Sequence, residues 1–156
     1  PRDPKTKIMD RNFILRFLYV GIFIGTVVIG AYIWMLYSQG WVWTQCISSD
    51  SLMHIKASTF AFVILVLIQM FNAYNSRSNT QSVFKLGLFS NLYLVGAIIT
   101  SILTIYILVE VPFFQEWIGT TSLAWNEWLI VLIASSSILV VEEVRKIFVR
   151  HNIKHN

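Results

Sequence analysis

Charge is scarce in this sequence, and cysteine is nearly absent. Only 13% of the 156 residues are charged, whereas 56% are hydrophobic. A soluble domain carries about 25% charged residues, so this composition disfavours one. The single cysteine, Cys46, excludes a disulfide within the chain. The apolar runs are continuous and do not alternate with polar residues, which disfavours a membrane β-barrel.

Motifs that carry enzymatic chemistry are missing as well. The sequence has no phosphate-cradling glycine loop, aspartyl-phosphate motif, nucleophile elbow or set of Cys and His metal ligands. Its only aspartates, Asp3, Asp10 and Asp50, lie in polar flanks. The N-terminus opens on Pro1 and Arg2 and has no apolar signal-peptide core. We therefore expect a chain without catalytic residues of its own, taken from a longer polypeptide.

Long apolar runs dominate the sequence instead. Each is close to or above the roughly 20 residues that cross a bilayer as a helix. They predict an all-α fold, a polytopic membrane four-helix bundle that forms a single membrane domain over 1–156. The predicted helices cover about 13–37, 56–74, 86–109 and 123–141.

Polar flanks and loops are predicted before and between these helices, and a basic, amphipathic tail is predicted after them. Asp10 is a candidate helix cap, Val111-Pro112 ends the third helix, and His54 is a solvated loop residue without metal-ligand companions. The predicted connecting segments are Pro1–Asp10, Ser38–Ile55, Asn75–Ser82, Phe113–Ser122 and the basic tail Glu142–Asn156.

Lysine and arginine are distributed very unevenly between the two sides of this topology. The side that holds both termini carries all of them except Lys56. Because basic residues favour the cytosolic side, both termini are predicted to be cytosolic. The tryptophans independently fall at the opposite face, where aromatic belts are typical. The basic face therefore indicates topology and contact with membrane lipid, and no nucleic acid partner is expected.

Small residues mark the first helix. Gly21 and Gly25 lie four residues apart on one helix face, with Gly30 near the same face. Glycines at this spacing let a second helix approach closely. We interpret them as a helix-packing face; the alternative is that they are incidental, since glycine is common in membrane helices.

The second helix carries amides inside an apolar run. Gln69 lies in its inner half, Asn72 follows three residues later, and Asn75 lies near the cytosolic end. Lipid cannot satisfy an amide. Gln69 can donate one neutral oxygen to a hard cation, which prefers several such oxygens, or it can form an interhelical hydrogen bond. Asn72 is a weaker candidate cation ligand, and for Asn75 helix packing is favoured.

Two adjacent carboxylates begin the tail. Glu142 and Glu143 point to different faces of a helix, which argues against a catalytic carboxylate pair. Glu142 is placed to meet Arg145 and Lys146, three and four residues later. We expect a salt-bridge cluster at the membrane interface.

The residues quoted above, with several short motifs, resemble the C-terminal membrane region of P-type cation-transporting ATPases of the calcium-pump type. The Gly21-x-x-x-Gly25 helix resembles the seventh membrane helix of such pumps. Gln69-x-x-Asn72-Ala73-x-Asn75-Ser76 resembles the eighth, and Val109-Glu110-Val111-Pro112 resembles the end of the ninth. Glu142-Glu143-Val144-x-Lys146 resembles the tenth. The resemblance covers nearly the whole chain.

The resemblance implies a function that this chain shares with a larger protein. The four helices would be the support subdomain of an ion-translocating ATP hydrolase in the plasma membrane or an internal membrane. Ca²⁺ would be the transported ion, and ATP and Mg²⁺ would bind only to domains upstream of Pro1. Gln69 would occupy the eighth-helix position that is glutamate in reticulum-type pumps and glutamine in plasma-membrane-type pumps. Two alternatives remain: a sodium- or proton/potassium-type pump segment, and a free-standing four-helix membrane partner protein.

Overall fold

Helices form the regular structure of the chain. The computed structural model describes residues 11–77, 87 and 90–155, and no strand occurs within these ranges. The all-α fold is therefore confirmed for this part of the chain. The helices are α1 Arg11–Ser38, α2 Leu52–Asn75, α3 Leu92–Glu110, α4 Pro112–Ile118 and α5 Trp125–His155. The predicted segment Pro1–Asp10, the cap at Asp10 and most of the predicted turn after Asn75 lie outside the described residues.

Three of the predicted membrane spans are confirmed by length and composition. They are Ile14–Ser38 within α1, the whole of α2 and the whole of α3. The fourth predicted helix also forms, as α5, but it is 31 residues long and continues past Val141 to His155. The predicted boundary at 141 is therefore wrong: the tail does not leave the helix there.

The second helix begins one turn earlier than predicted. Ser51 caps it, because the Ser51 side chain accepts a hydrogen bond from the His54 backbone N–H at 3.2 Å. The predicted loop Ser38–Ile55 is therefore shorter. The interpretation of His54 as a solvated loop residue is wrong, since its Nδ1 lies 2.8 Å from the Tyr32 hydroxyl of α1.

The third helix begins later than predicted and ends where predicted. Gly87 has a φ of 79°, outside the helical range, and α3 starts at Leu92, where the Asn91 side chain caps the Leu94 N–H at 3.2 Å. The predicted end at Val111-Pro112 is confirmed. Pro112, however, opens the seven-residue α4, where its fixed φ suits a first helical position. The predicted outer loop Phe113–Ser122 is thus partly helical.

Helix α2 lies at the centre of the packing and contacts α1, α3 and α5. One side of it is fully buried, including Phe60, Val63, Ile64 and Ile68. Met35 and Leu36 of α1, Val109 of α3 and Val131 of α5 complete this core. By contrast, only 11% of the α1 span and 11% of the α3 span are buried. Exposed apolar surface on these helices is compatible with lipid or with further membrane helices.

Candidate functional site

The Gln69 amide lies on the one side of α2 that the other described helices leave uncovered. Phe62, Leu65 and Gln69 are all exposed, and their spacing places them on one helix face. The Gln69 side chain has no hydrogen-bond partner within residues 11–77, 87 and 90–155. Its two predicted roles, cation ligand and interhelical hydrogen bond, therefore both require a group from outside these residues.

The three amides of α2 do not form one cluster. A step of three residues falls about 60° short of a full helical turn. Asn72 therefore lies to one side of the Gln69 face, and Asn75 lies further around the helix. Asn72 is half-buried. Asn75 is fully buried and donates from Nδ2 to the Ile138 carbonyl oxygen of α5 at 3.3 Å. This bond agrees with helix packing as the role of Asn75.

The amide oxygen of Asn75 has no matching donor. Within the described residues, Asn75 Oδ1 is the buried side-chain polar atom without a hydrogen-bond partner. Asn75 Nδ2 must face the Ile138 carbonyl, because a carbonyl can only accept. This requirement fixes the orientation of the amide and leaves Oδ1 as an acceptor in the α2–α5 interface.

The glycine face of α1 is open in the described structure. A Cβ added at Gly21, Gly25 or Gly30 would meet nothing within 4 Å among the described residues. None of the neighbouring helices α2–α5 packs against this face. Close helix packing at these three positions remains a prediction that concerns other parts of the polypeptide.

A buried ion-pair cluster joins α1 to α5. Glu142 is fully buried, and its carboxylate lies 3.1 Å from Arg16 Nη2 of α1 and 3.0 Å from Arg145 Nη2 one turn later. The Tyr19 hydroxyl also donates to Glu142 Oε1. Buried carboxylates require such compensation, because desolvation of an unpaired charge is very unfavourable.

Sequence reasoning found only part of this cluster. The predicted contact of Glu142 with Arg145 is confirmed, and Lys146 forms an ion pair with Glu143 at 3.4 Å. Arg16 and Tyr19 were not predicted as partners. One indication was present in the sequence: Arg16 is a charged residue inside an apolar span, and such residues usually have a partner in the protein.

The opposite end of the bundle is held by a second set of polar contacts. Lys56 Nζ of α2 lies 2.7 Å from Glu127 of α5. Glu110, the last residue of α3, accepts from the Leu123 N–H at 3.2 Å and from Trp128 Nε1 at 3.0 Å. These contacts fix the ends of α2, α3 and α5 relative to one another.

Comparison with known proteins identifies the group to which this bundle belongs. Residues 1–148 match the family model described as "Cation transporting ATPase, C-terminus". The chain belongs to this family. It is the C-terminal transmembrane part of a P-type cation ATPase and a multi-pass integral membrane chain.

Individual relatives of this cation ATPase chain carry consistent names. "Calcium-transporting ATPase 3, endoplasmic reticulum-type" of Arabidopsis thaliana is 28% identical over 170 residues, which cover 97% of this chain and 17% of the relative. "Calcium-transporting ATPase 1" of Saccharomyces cerevisiae is 30% identical over 152 residues, covering 96% and 15%. "Calcium-transporting ATPase type 2C member 1" of Mus musculus is 32% identical over 148 residues, covering 94% and 15%. The chain thus spans less than one fifth of the length of these relatives.

A complete metal centre is not present in the described part of this cation ATPase chain. No group of three or more His, Cys, Asp or Glu residues there could hold a metal ion. Gln69 can supply one amide oxygen, whereas a bound Ca²⁺ takes 6–8. The residues therefore fit a single contribution to an ion site whose other ligands come from elsewhere.

Proposed function

We propose that this chain is the membrane support subdomain of an ATP-driven calcium-transporting ATPase, and that α2 contributes Gln69 to its cation-binding region. The observation that carries the proposal is the uncovered Gln69 face of α2. The side of α2 facing α1 and α5 is buried and apolar, while the amide points to where further membrane helices of the same polypeptide can lie. The names of the relatives support calcium as the ion.

The chemistry of Gln69 suits a partial ligand. A neutral amide oxygen can coordinate a hard cation without the desolvation of a buried charge. Compared with a carboxylate, it brings one oxygen instead of two and no negative charge. We infer weaker calcium binding at this position than a glutamate would give, and the transport of one calcium ion per cycle.

The remaining parts of the proposal concern topology and support. Helix α5 acts as the fourth span, so that both ends of the chain are cytosolic, in agreement with the bias of lysine and arginine. The Glu142 cluster at one end and the Lys56–Glu127 pair at the other hold α1, α2 and α5 together. ATP and Mg²⁺ bind to upstream domains of the full-length protein.

The decisive experiment is Gln69→Glu in the full-length protein reconstituted in sealed vesicles, with calcium uptake and ATP hydrolysis measured together. A new carboxylate in the ion region should raise the apparent calcium affinity by about tenfold and raise the ratio of calcium to ATP. The control is Asn72→Asp, which introduces the same charge one turn away on a half-buried position.

Each outcome bears on the proposal. A change with Gln69→Glu that exceeds the change with Asn72→Asp supports a ligand role for Gln69. No change with Gln69→Glu contradicts that role, and equal changes with both variants contradict the preference for Gln69 over Asn72 as the ligand. Uptake of sodium or potassium in place of calcium supports the alternative pump types, and absence of ATP-driven transport supports a free-standing membrane partner protein.

A further inference from the structure

Helix α2 is apolar around most of its circumference, so its hydrophobic pattern alone does not fix its rotation about its own axis. A hydrogen bond can fix that rotation, because it requires one particular alignment of donor and acceptor. Near the inner end of α2, Asn75 Nδ2 donates to the Ile138 carbonyl oxygen of α5 at 3.3 Å. A second contact, from Ser135 Oγ to the Ile64 carbonyl oxygen, is longer at 3.5 Å. Asn75 thus holds the inner part of α2 in one orientation relative to α5.

Gln69 lies less than two turns from this contact along α2. It precedes Asn75 by six residues, which corresponds to a rise of about 9 Å and a rotation of about 120° around the helix. With Asn75 directed at α5, Gln69 is turned toward the side of α2 that the described helices leave uncovered. A side-chain tip lies about 6 Å from the helix axis, so a rotation of about 10° moves the Gln69 amide by about 1 Å. Coordination distances tolerate only about 0.2 Å, so ligation by Gln69 depends on this rotation.

Asn75 is an unfavourable residue for packing alone. Its side chain is fully buried, and its Oδ1 atom has no hydrogen-bond partner among the described residues. Leucine has the same branched outline and no polar atom to leave unpaired, so it would suit a purely apolar interface better. In coiled coils, a buried asparagine fixes the alignment of helices although it lowers their stability. The incompletely paired amide therefore indicates a role in alignment.

We propose that Asn75 is a positioning residue, which sets the rotation of α2 and thereby aims the Gln69 amide oxygen at the cation-binding region. Asn75 does not touch the ion itself, because it is buried against α5 about a third of a turn away from the Gln69 face. The inference rests on the proposed function, since it takes Gln69 to be a ligand of the transported calcium ion.

The test is Asn75→Leu in the full-length protein, with calcium-dependent ATP hydrolysis measured in reconstituted vesicles. We expect the calcium concentration for half-maximal activity to rise about tenfold, the usual effect of losing a group that orients a metal ligand. Maximal activity at saturating calcium should stay within about twofold. The half-life of activity during heating should be unchanged or longer, because an unpaired buried acceptor is removed. A residue that only supports the fold would show a shorter half-life and an unchanged calcium affinity.

Three further variants make the result specific. Asn75→Ala cannot overpack the interface and should show the same shift in calcium affinity. Thr59→Val removes a buried hydrogen bond from the outer part of α2, about 15 Å from Gln69 along the helix, and should leave the affinity unchanged. In a Gln69→Ala background, Asn75→Leu should change the affinity by less than about twofold, because Asn75 acts only through Gln69.

The failures of this proposal and of the proposed function are distinguishable. If Gln69→Ala lowers the calcium affinity and Asn75→Leu does not, the positioning role is overturned while the ligand role of Gln69 stands. An equal effect of Asn75→Leu with and without Gln69, or an equal loss of affinity in Thr59→Val, also overturns the positioning role. If Gln69→Ala has no effect, the ligand role of Gln69 fails, and the positioning role fails with it.

Discussion

Replacement of Glu142 by glutamine tests the ion-pair cluster between α1 and α5 most directly. The change keeps the shape of the side chain and removes the charge that lies 3.1 Å from Arg16 and 3.0 Å from Arg145. Loss of one partner of a buried ion pair destabilises a protein by about 3–5 kcal/mol. The two arginines retain partial exposure and can turn toward water. We therefore expect the free energy of unfolding to fall by about 2–3 kcal/mol.

The measurement is the unfolding of the purified chain in mixed micelles with increasing SDS. Tryptophan fluorescence reports the transition, because all six tryptophans lie in or beside α1, α4 and α5. Glu116→Gln is the matched control: it removes the same charge from an exposed position on α4. Its effect should stay within about 0.5 kcal/mol.

A double-mutant cycle separates the pair from its surroundings. Arg16→Met combined with Glu142→Met should be less destabilising than the sum of the single changes, with a coupling of about 1–3 kcal/mol. Each single variant loses the Arg16–Glu142 contact, whereas the double variant loses it only once, and Arg145 is present in every member of the cycle. If Glu142→Gln lowers the free energy of unfolding no more than Glu116→Gln does, or if the cycle shows no coupling, the Arg16–Glu142 pair does not join α1 to α5.

Two further predictions concern the opposite end of the bundle. Thr59 is buried, and its hydroxyl donates to the Ile55 carbonyl oxygen at 2.8 Å and accepts from the Thr121 N–H at 3.1 Å. Thr59→Val should lower the free energy of unfolding in SDS by about 1–2 kcal/mol, whereas Thr26→Val on the exposed face of α1 should have little effect. Equal effects would contradict the role of Thr59 in joining α2 to the segment between α4 and α5. Cys46 is exposed between α1 and α2, so a membrane-impermeant maleimide should label it from the non-cytosolic side of sealed vesicles. Labelling of the Cys46 peptide from the cytosolic side would contradict the proposed orientation.

Helix locations followed from local sequence patterns, whereas helix ends often did not. Apolar runs long enough to span a bilayer correctly indicated α1, α2 and α3. The predicted starts of α2 and α3 were wrong, because the observed starts depend on side-chain caps at Ser51 and Asn91. Such caps require the backbone before the helix to be extended, and composition alone does not specify that conformation.

The position of the amides shows a different limit of sequence reasoning. The spacing of Gln69 and Asn72 predicts nearly the same helix face, with Asn75 further along toward the cytosolic end. In the structure Gln69 is exposed while Asn75 is buried against Ile138. A membrane helix that is apolar on all sides gives no periodic signal for which face will be covered. That choice depends on how α1 and α5 pack around α2.

The sequence by itself determined that this is a helical membrane chain with a basic side, because charge and apolar length decide what can cross a bilayer. It also identified Gln69 as an amide that needs a partner, and tertiary structure decided that this partner is not α1, α3 or α5. Only the tertiary structure brought Arg16 and Tyr19 to Glu142, more than 120 residues along the chain. A buried ion pair of this kind depends on the rotation and vertical offset of two helices, and those are set by side-chain packing between them.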